Sequence, residues 1–112
     1  MTSWKAWTPA LGDLISVRTS GGERRHGVVV ASGAYSARTG FTVVCPIAQE
    51  AKGYPFEVAL PGDARVRGVI LADRVTSLDT RSWAVGLVCS LPDAVVTAVC
   101  ERLATVIDLR RG

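Results

Sequence analysis

Seven short runs of apolar and β-branched residues, each closed by Gly, Pro, Ser or Asp, divide most of the chain. They are DLISVRT (13–19), GVVVAS (27–32), FTVVCPI (41–47), FEVALP (56–61), RGVILA (67–72), RVTSL (74–78) and WAVGLVCS (83–90). Runs of this length and composition predict β-strands. Some alternate, and others are continuously apolar, as strands covered on both faces are. Seven strands at this spacing predict a small, strongly bent barrel. Near the end the period changes: Val96, Val99, Leu103, Val106 and Ile107 recur at helical spacing, with Asp93, Glu101, Arg102 and Asp108 elsewhere around the wheel. Ser90 as N-cap or the residue before it, Pro92 in the first turn and Asp93 against the helix dipole mark where that helix starts. The pattern therefore predicts a mainly β (α+β) fold, a small bent barrel of about seven strands with a C-terminal helix packed on it by its apolar stripe.

A chain of 112 residues leaves too little surface for a second core, so residues 1–112 are expected to form one domain. Cys45, Cys89 and Cys100 are spaced too widely for a C-x-x-C ligand pair, and their odd number argues against a disulfide framework. They read as small buried hydrophobes in a reducing compartment. A single histidine, His26, rules out His-rich metal sites, and neither metal nor cofactor is expected. No apolar run follows Lys5, so no signal peptide is expected. The stretch AVVTAVCERLATVIDL is broken by Glu101 and Arg102 and is too short to span a bilayer. The expected location is the cytoplasm, with no membrane partner.

The net charge is +3, and the surplus is uneven. Residues 1–52 hold six Lys/Arg against three acids, whereas residues 53–112 hold seven of each. That asymmetry favours an anionic partner met by the first half. Eleven of the thirteen cations are arginine, which fits either a phosphate-binding surface, where the planar fork donates paired hydrogen bonds, or a simple preference for arginine codons.

Three segments carry candidate chemistry. TSGGERRHG (19–27) joins the first two strands, and its glycines permit a sharp turn before Arg24, Arg25 and His26. Side chains at the start of a strand are held more firmly than those at a loop tip, which suits a positioned cation; a solvated basic hairpin, with Glu23 pairing one arginine, is the plainer alternative. SGAYSARTG (32–40) reads as a second polar loop, in which Tyr35 stacks a base beside Arg38 or instead caps the core. In PIAQEAKGYPFEVALPG (46–62), Tyr54-Pro55 reads as a fixed turn that aims the next strand, and Glu57 as the ion-pair partner of a neighbouring arginine.

In series, GDLISV, RHGVVVAS with YSARTG, CPIAQEAKGYPFEV, RGVILADRVTSL and TRSW closely resemble the MazF/PemK-like toxins of bacterial toxin–antitoxin systems. The likeness runs from about Gly12 to the final helix, and KGYPFEV followed by GV-x-LAD-x-V-x-S is its most specific part. The resemblance implies an SH3-like, CcdB/PemK-like barrel, a homodimer, a cognate antitoxin whose disordered tail covers the active groove, and metal-free, sequence-specific cutting of single-stranded RNA. In the implied reaction a ribose 2′-hydroxyl attacks the adjacent phosphate, leaving a 2′,3′-cyclic phosphate and a 5′-hydroxyl.

The resemblance maps the family's catalytic arginine onto Arg25, as stabiliser of the pentavalent transition state; a guanidinium stays protonated and is a poor base. The family's catalytic threonine, two positions after the proline of the third strand, falls on Ala48, which has no hydroxyl. Gln49, Ser36 or Thr42 are the candidate substitute donors. His26 takes the place of the proline that usually follows the arginine, and imidazole is suited to moving protons near neutral pH. The first loop is several residues shorter than in typical members, with Glu23 the sole candidate for the family's acid there. Arg24, Tyr35, Ser36, Arg38, Lys52 and Arg81 are the expected RNA-binding residues. A second reading, supported by Ala48, is a noncatalytic toxin-fold protein that holds RNA or sequesters an antitoxin. A third, a gyrase-poisoning relative, is disfavoured by Arg25 and the KGYPFEV region.

Overall fold

A computed structural model of the chain describes residues 7–81 and 84–107. Seven strands and two helices follow in the order β1 (Asp13–Arg18), β2 (Arg24–Val29), α1 (Gly33–Thr39), β3 (Phe41–Ala48), β4 (Glu57–Ala59), β5 (Val69–Leu71), β6 (Thr76–Asp79), β7 (Ala84–Ser90) and α2 (Asp93–Val106). All pairings are antiparallel, in the order β4-β5-β3-β2-β1-β7, with β6 joined to β3. The fold class read from the hydrophobic pattern is thus the observed one. The hydrogen-bonded sheet does not close into a full barrel, because β4 and β7 end it without meeting. Trp83, expected to open the seventh strand, and Asp108, expected on the polar side of the helix, lie outside the described residues.

The continuously apolar runs feed two cores, one on each face of the sheet. Leu14, Val28, Cys45 and Ile70 pack with Val58, Ala72, Leu91 and Val99 of α2. Their sequence neighbours Ile15 and Val29 turn the other way, joining Val17 and Leu78 with Trp7 and Val44 beside them. This is strand alternation with both faces covered, the arrangement that erases a visible polar period. Asp13 locks the start of β1 to its surroundings: it is buried, and its carboxylate accepts from Trp7 Nε1 (3.1 Å), the Ala10 N–H (3.0 Å) and Ser90 Oγ (3.3 Å).

Three local expectations need correction. The segment 32–40 is a helix, α1, and not a loop. Ser32 Oγ accepts from the Tyr35 N–H at 3.1 Å as N-cap, and Gly40, at φ +76°, ends the helix in the left-handed region. The second strand begins at Arg24, three residues earlier than the apolar run suggests, because β1 extends to Arg18 and pairs it with Arg24. At the C-terminal helix, Pro92 is the N-cap itself with no side-chain cap, and Ser90 instead donates to Asp13.

Strand β3 organises the sheet. Its Val44–Pro46 portion pairs with β2, while its outer edge is shared between β6 (Phe41 to Val44) and β5 (Ile47 and Ala48). Pairing of β2 with β3 ends at Gly27–Pro46, so Arg24, Arg25 and His26 diverge from the end of β3. The gap between them is where the site forms.

Candidate active-site cleft

An open cleft of about 820 Å³ occupies that gap. Arg24, Arg25 and His26 of β2 line one side, and Gln49, Arg65 and Arg67 line it from the end of β3 and the segment before β5; Pro46 and Ile47 supply apolar lining. The β1–β2 hairpin that presents the first three is braced by Thr19 N–H to Glu23 O (2.8 Å), Gly22 N–H to Thr19 O (2.8 Å) and Arg18 Nη1 to Gly22 O (3.3 Å). Gly22 takes φ +84°, which a residue with a side chain rarely adopts. Because β2 starts at Arg24, all three side chains stand on hydrogen-bonded strand rather than on a loop tip. Arg25 is exposed and ion-paired with Glu23, which accepts from its Nε (3.3 Å) and Nη2 (3.0 Å). His26 is half-buried.

The structure therefore brings together all three catalytic candidates, Arg25, His26 and Gln49, and one RNA-binding candidate, Arg24. The others lie elsewhere. Lys52 lines a second cleft, of about 520 Å³, together with Ala48, Glu50, Tyr54, Glu57 and Arg74. Ala48 opens on this side, whereas Ile47 and Gln49 face the first cleft, so the end of β3 forms a ridge between the two. The turn at Tyr54-Pro55 is present, closed by Glu57 N–H to Tyr54 O at 3.0 Å. Glu57 accepts from the Lys52 backbone N–H (2.9 and 3.2 Å), so it braces that turn, and among the described residues no arginine forms an ion pair with it. Tyr54 donates to Asp73 Oδ2 at 2.6 Å, and this hydrogen bond raises the phenol's pKa.

Tyr35, Ser36, Arg38 and Arg81 lie on or against α1, at the opposite end of β3 from the cleft. Ser36 is buried and donates to Ser32 O at 3.4 Å. Arg81 sits over the Phe41 ring, 5.4 Å from its centroid, and pairs with Asp79 at 3.1 Å. Thr42 is fully buried inside the sheet with its hydroxyl unpartnered. Of the three candidate replacements for the absent threonine hydroxyl, Gln49 alone lines the cleft.

Arg65 and Arg67 were not anticipated. The signal was present in PGDARVRG (61–68), where two arginines flank a single valine. Balanced charge in the second half of the chain concealed it.

A small antiparallel sheet that gathers guanidinium, imidazole and amide groups at its strand ends around an open cleft presents hydrogen-bond donors and positive charge of the kind that suits an anion. The model of the PemK-like, MazF-like toxins of type II toxin–antitoxin systems matches residues 11–107, and the chain belongs to that family. It is 42% identical over 82 residues to the endoribonuclease toxin MazF of Escherichia coli K12, spanning 68% of this chain and 73% of the relative. The MazE–MazF complex of Deinococcus radiodurans contains a chain 39% identical, superposing with a TM-score of 0.84 over 89% of this chain and 95% of that one. A mycobacterial endoribonuclease solved with its cognate antitoxin shares the fold at 18% identity and a TM-score of 0.77, over 88% of this chain and 94% of that one. Among the described residues no helix is long and apolar enough to cross a membrane.

Proposed function

We propose that the chain is a metal-independent endoribonuclease, the toxin of a toxin–antitoxin pair, acting as one domain on single-stranded RNA in the cytoplasm. The observation that carries this reading is the convergence of Arg25, His26 and Gln49 on one open cleft. The ribose 2′-oxygen attacks the neighbouring phosphorus, the bond from phosphorus to the 5′-oxygen breaks, and the products are a 2′,3′-cyclic phosphate and a 5′-hydroxyl. One proton leaves the 2′-hydroxyl and one reaches the departing oxygen. His26 takes the proton from the 2′-hydroxyl, water entering the open cleft supplies the one that reaches the departing oxygen, Arg25 offsets the charge growing on the nonbridging oxygens, and the Gln49 amide donates a hydrogen bond to the same phosphate. The guanidinium does this without changing its own protonation.

Relatives solved with an antitoxin point to that partner, and a second copy of the chain is the other partner in this reading. Self-association is supported by exposed Leu87 on the terminal strand β7 and by exposed Val106 and Ile107 at the end of α2. The antitoxin's acidic segments would find the same arginines that receive RNA.

The test is digestion of defined RNAs under a chelator, with mapping of the new ends. Cyclic phosphate and 5′-hydroxyl termini are expected, and their absence removes the nuclease reading. Ala48 favours one alternative, an RNA- or antitoxin-binding protein without activity, which retained RNA binding with no cut ends would select. Ala48→Thr adds a hydroxyl on the second-cleft side of the β3 ridge, away from Arg25 and His26, and is expected to leave the cleavage rate unchanged. A rise in rate would mean that the hydroxyl reaches the phosphate across the ridge and that Gln49 does not fill that role.

A further inference from the structure

We propose that Arg65 and Arg67, on the segment leading into β5, form with Arg24 a phosphate-binding wall that holds the RNA strand on either side of the linkage addressed by Arg25. This inference rests on the reading of the cleft as an RNA site. Its first support is charge. The cleft is lined by four guanidiniums, Arg24, Arg25, Arg65 and Arg67, against one carboxylate, Glu23. That is a formal +3, equal to the net charge of the whole 112-residue chain, so every other charge in the molecule cancels. Placing like charges around one concavity costs energy and is useful when an anion enters it.

A second support is the absence of internal partners. Among the described residues, Glu23 engages Arg25, while no ion pair engages Arg24, Arg65 or Arg67. Arg24 even stands directly across the ladder from Arg18, a like-charge pair that weakens the hairpin.

The third support is positioning. Val66 packs against the core cluster beneath the sheet, fixing the segment while Arg65 and Arg67 on either side of it stay exposed. Gly68 follows at φ +135° and lies so close to β3 that a Cβ there would overlap the Ala48 carbonyl oxygen. The close approach allows β5 to pair Val69 with Ala48 and brings Arg67 beside Gln49 at the cleft. Two arginines in fixed places opposite the catalytic strand suit a linear polyanion better than a single small anion, which one guanidinium fork would satisfy.

The experiment measures binding of a single-stranded oligonucleotide carrying 2′-deoxyribose at the cut position, so that affinity is read whether or not the protein cleaves RNA. Each phosphate neutralised on a single strand contributes a slope of about −0.7 in log K against log salt. Four contacts predict about a fiftyfold loss between 50 and 200 mM salt, and Arg65→Ala with Arg67→Ala predicts about a sevenfold loss. Arg65→Lys with Arg67→Lys keeps the charges and is expected to keep the slope, which separates electrostatics from packing. Thermal melting of each variant checks that the fold is retained. An unchanged slope in the alanine pair, or a slope lost equally in the lysine pair, would overturn the assignment. So would wild-type protein that ignores the oligonucleotide yet binds a polyglutamate peptide through these arginines. Normal slopes with no RNA cleavage would instead sink the proposed chemistry and leave this wall in place.

Discussion

Replacing Gly68 by alanine probes the joint that carries β5, and with it Arg65 and Arg67, against the end of β3. The backbone there has φ +135°, and the added Cβ would run into the Ala48 carbonyl oxygen, with the Ala48 carbonyl carbon at 3.1 Å and Ile47 Cγ2 at 3.2 Å. The obstacle is backbone, so no rotamer change relieves it. The positive φ alone costs about 1–3 kcal/mol. Separating the strands also strains the Ile47–Ile70 and Ala48–Val69 pairs, whose backbone hydrogen bonds contribute about 0.5–1.5 kcal/mol each. A total loss of about 2–6 kcal/mol is expected from urea unfolding, a large share of the margin of a small domain. Gly62→Ala is the control: nothing lies within 4 Å of its Cβ position and its φ is not positive, so stability should change by less than about 1 kcal/mol. If Gly68→Ala unfolds within about 0.5 kcal/mol of wild type, the close approach of β5 to β3 is wrong, and so is the placement of Arg67 that depends on it.

Three other outcomes follow from the same contacts. Burial, with smaller contributions from Cys100 and Asp73, raises the Cys45 thiol from 9.0 to about 11. Its native state then keeps a proton the unfolded chain gives up, so stability is full below about pH 9 and falls by about 1.4 kcal/mol per unit between pH 9 and 11. Cys45→Ala should flatten that decline in pH-dependent unfolding, with Tyr54→Phe as control for a phenol shifted in the same direction. Asp13→Ala strands three donors, Trp7 Nε1, the Ala10 N–H and Ser90 Oγ, and should cost about 2–4 kcal/mol by denaturant unfolding; a loss below about 0.5 kcal/mol would show that Asp13 does not join these segments. The Glu23–Arg25 pair is largely exposed at both ends and worth about 0–1 kcal/mol. Glu23→Gln should therefore leave stability within about 0.5 kcal/mol and tighten RNA binding up to about fivefold, whereas a large fall in cleavage would make Glu23 part of the chemistry.

The strands were legible because apolar runs between turn residues survive in any context, and the C-terminal helix because Val96, Val99 and Leu103 keep their period. Helix α1 was readable in principle from Ser32 at its start and Gly40 at its end. Its polar sequence and seven-residue length hid it, since the tertiary contact of α1 with β3, and not an apolar stripe, holds it in place. The start of β2 could not be read from β2, because Arg24 is strand only by virtue of pairing with Arg18. At the site, the position of Arg25 and His26 at a hairpin exit was legible, while a catalytic role for either came only from the family resemblance. Arg65 and Arg67 were not, because sharing of the β3 edge between β5 and β6 is what carries a distant segment to the same cleft. Sequence likewise could not show that alternation at the end of β3 sends Gln49 and Ala48 into different clefts, or that burial removes Ser36 and Thr42 from any surface.

The account turns on Arg25 acting on the phosphate being cut. The measurement that reaches this most directly is the single-turnover cleavage rate of Arg25→Ala and wild type on one RNA oligonucleotide, at saturating protein and with a chelator present. Losing a preorganised charge that meets the transition state should lower the rate by about a hundredfold or more. Equal rates at saturation would contradict the account.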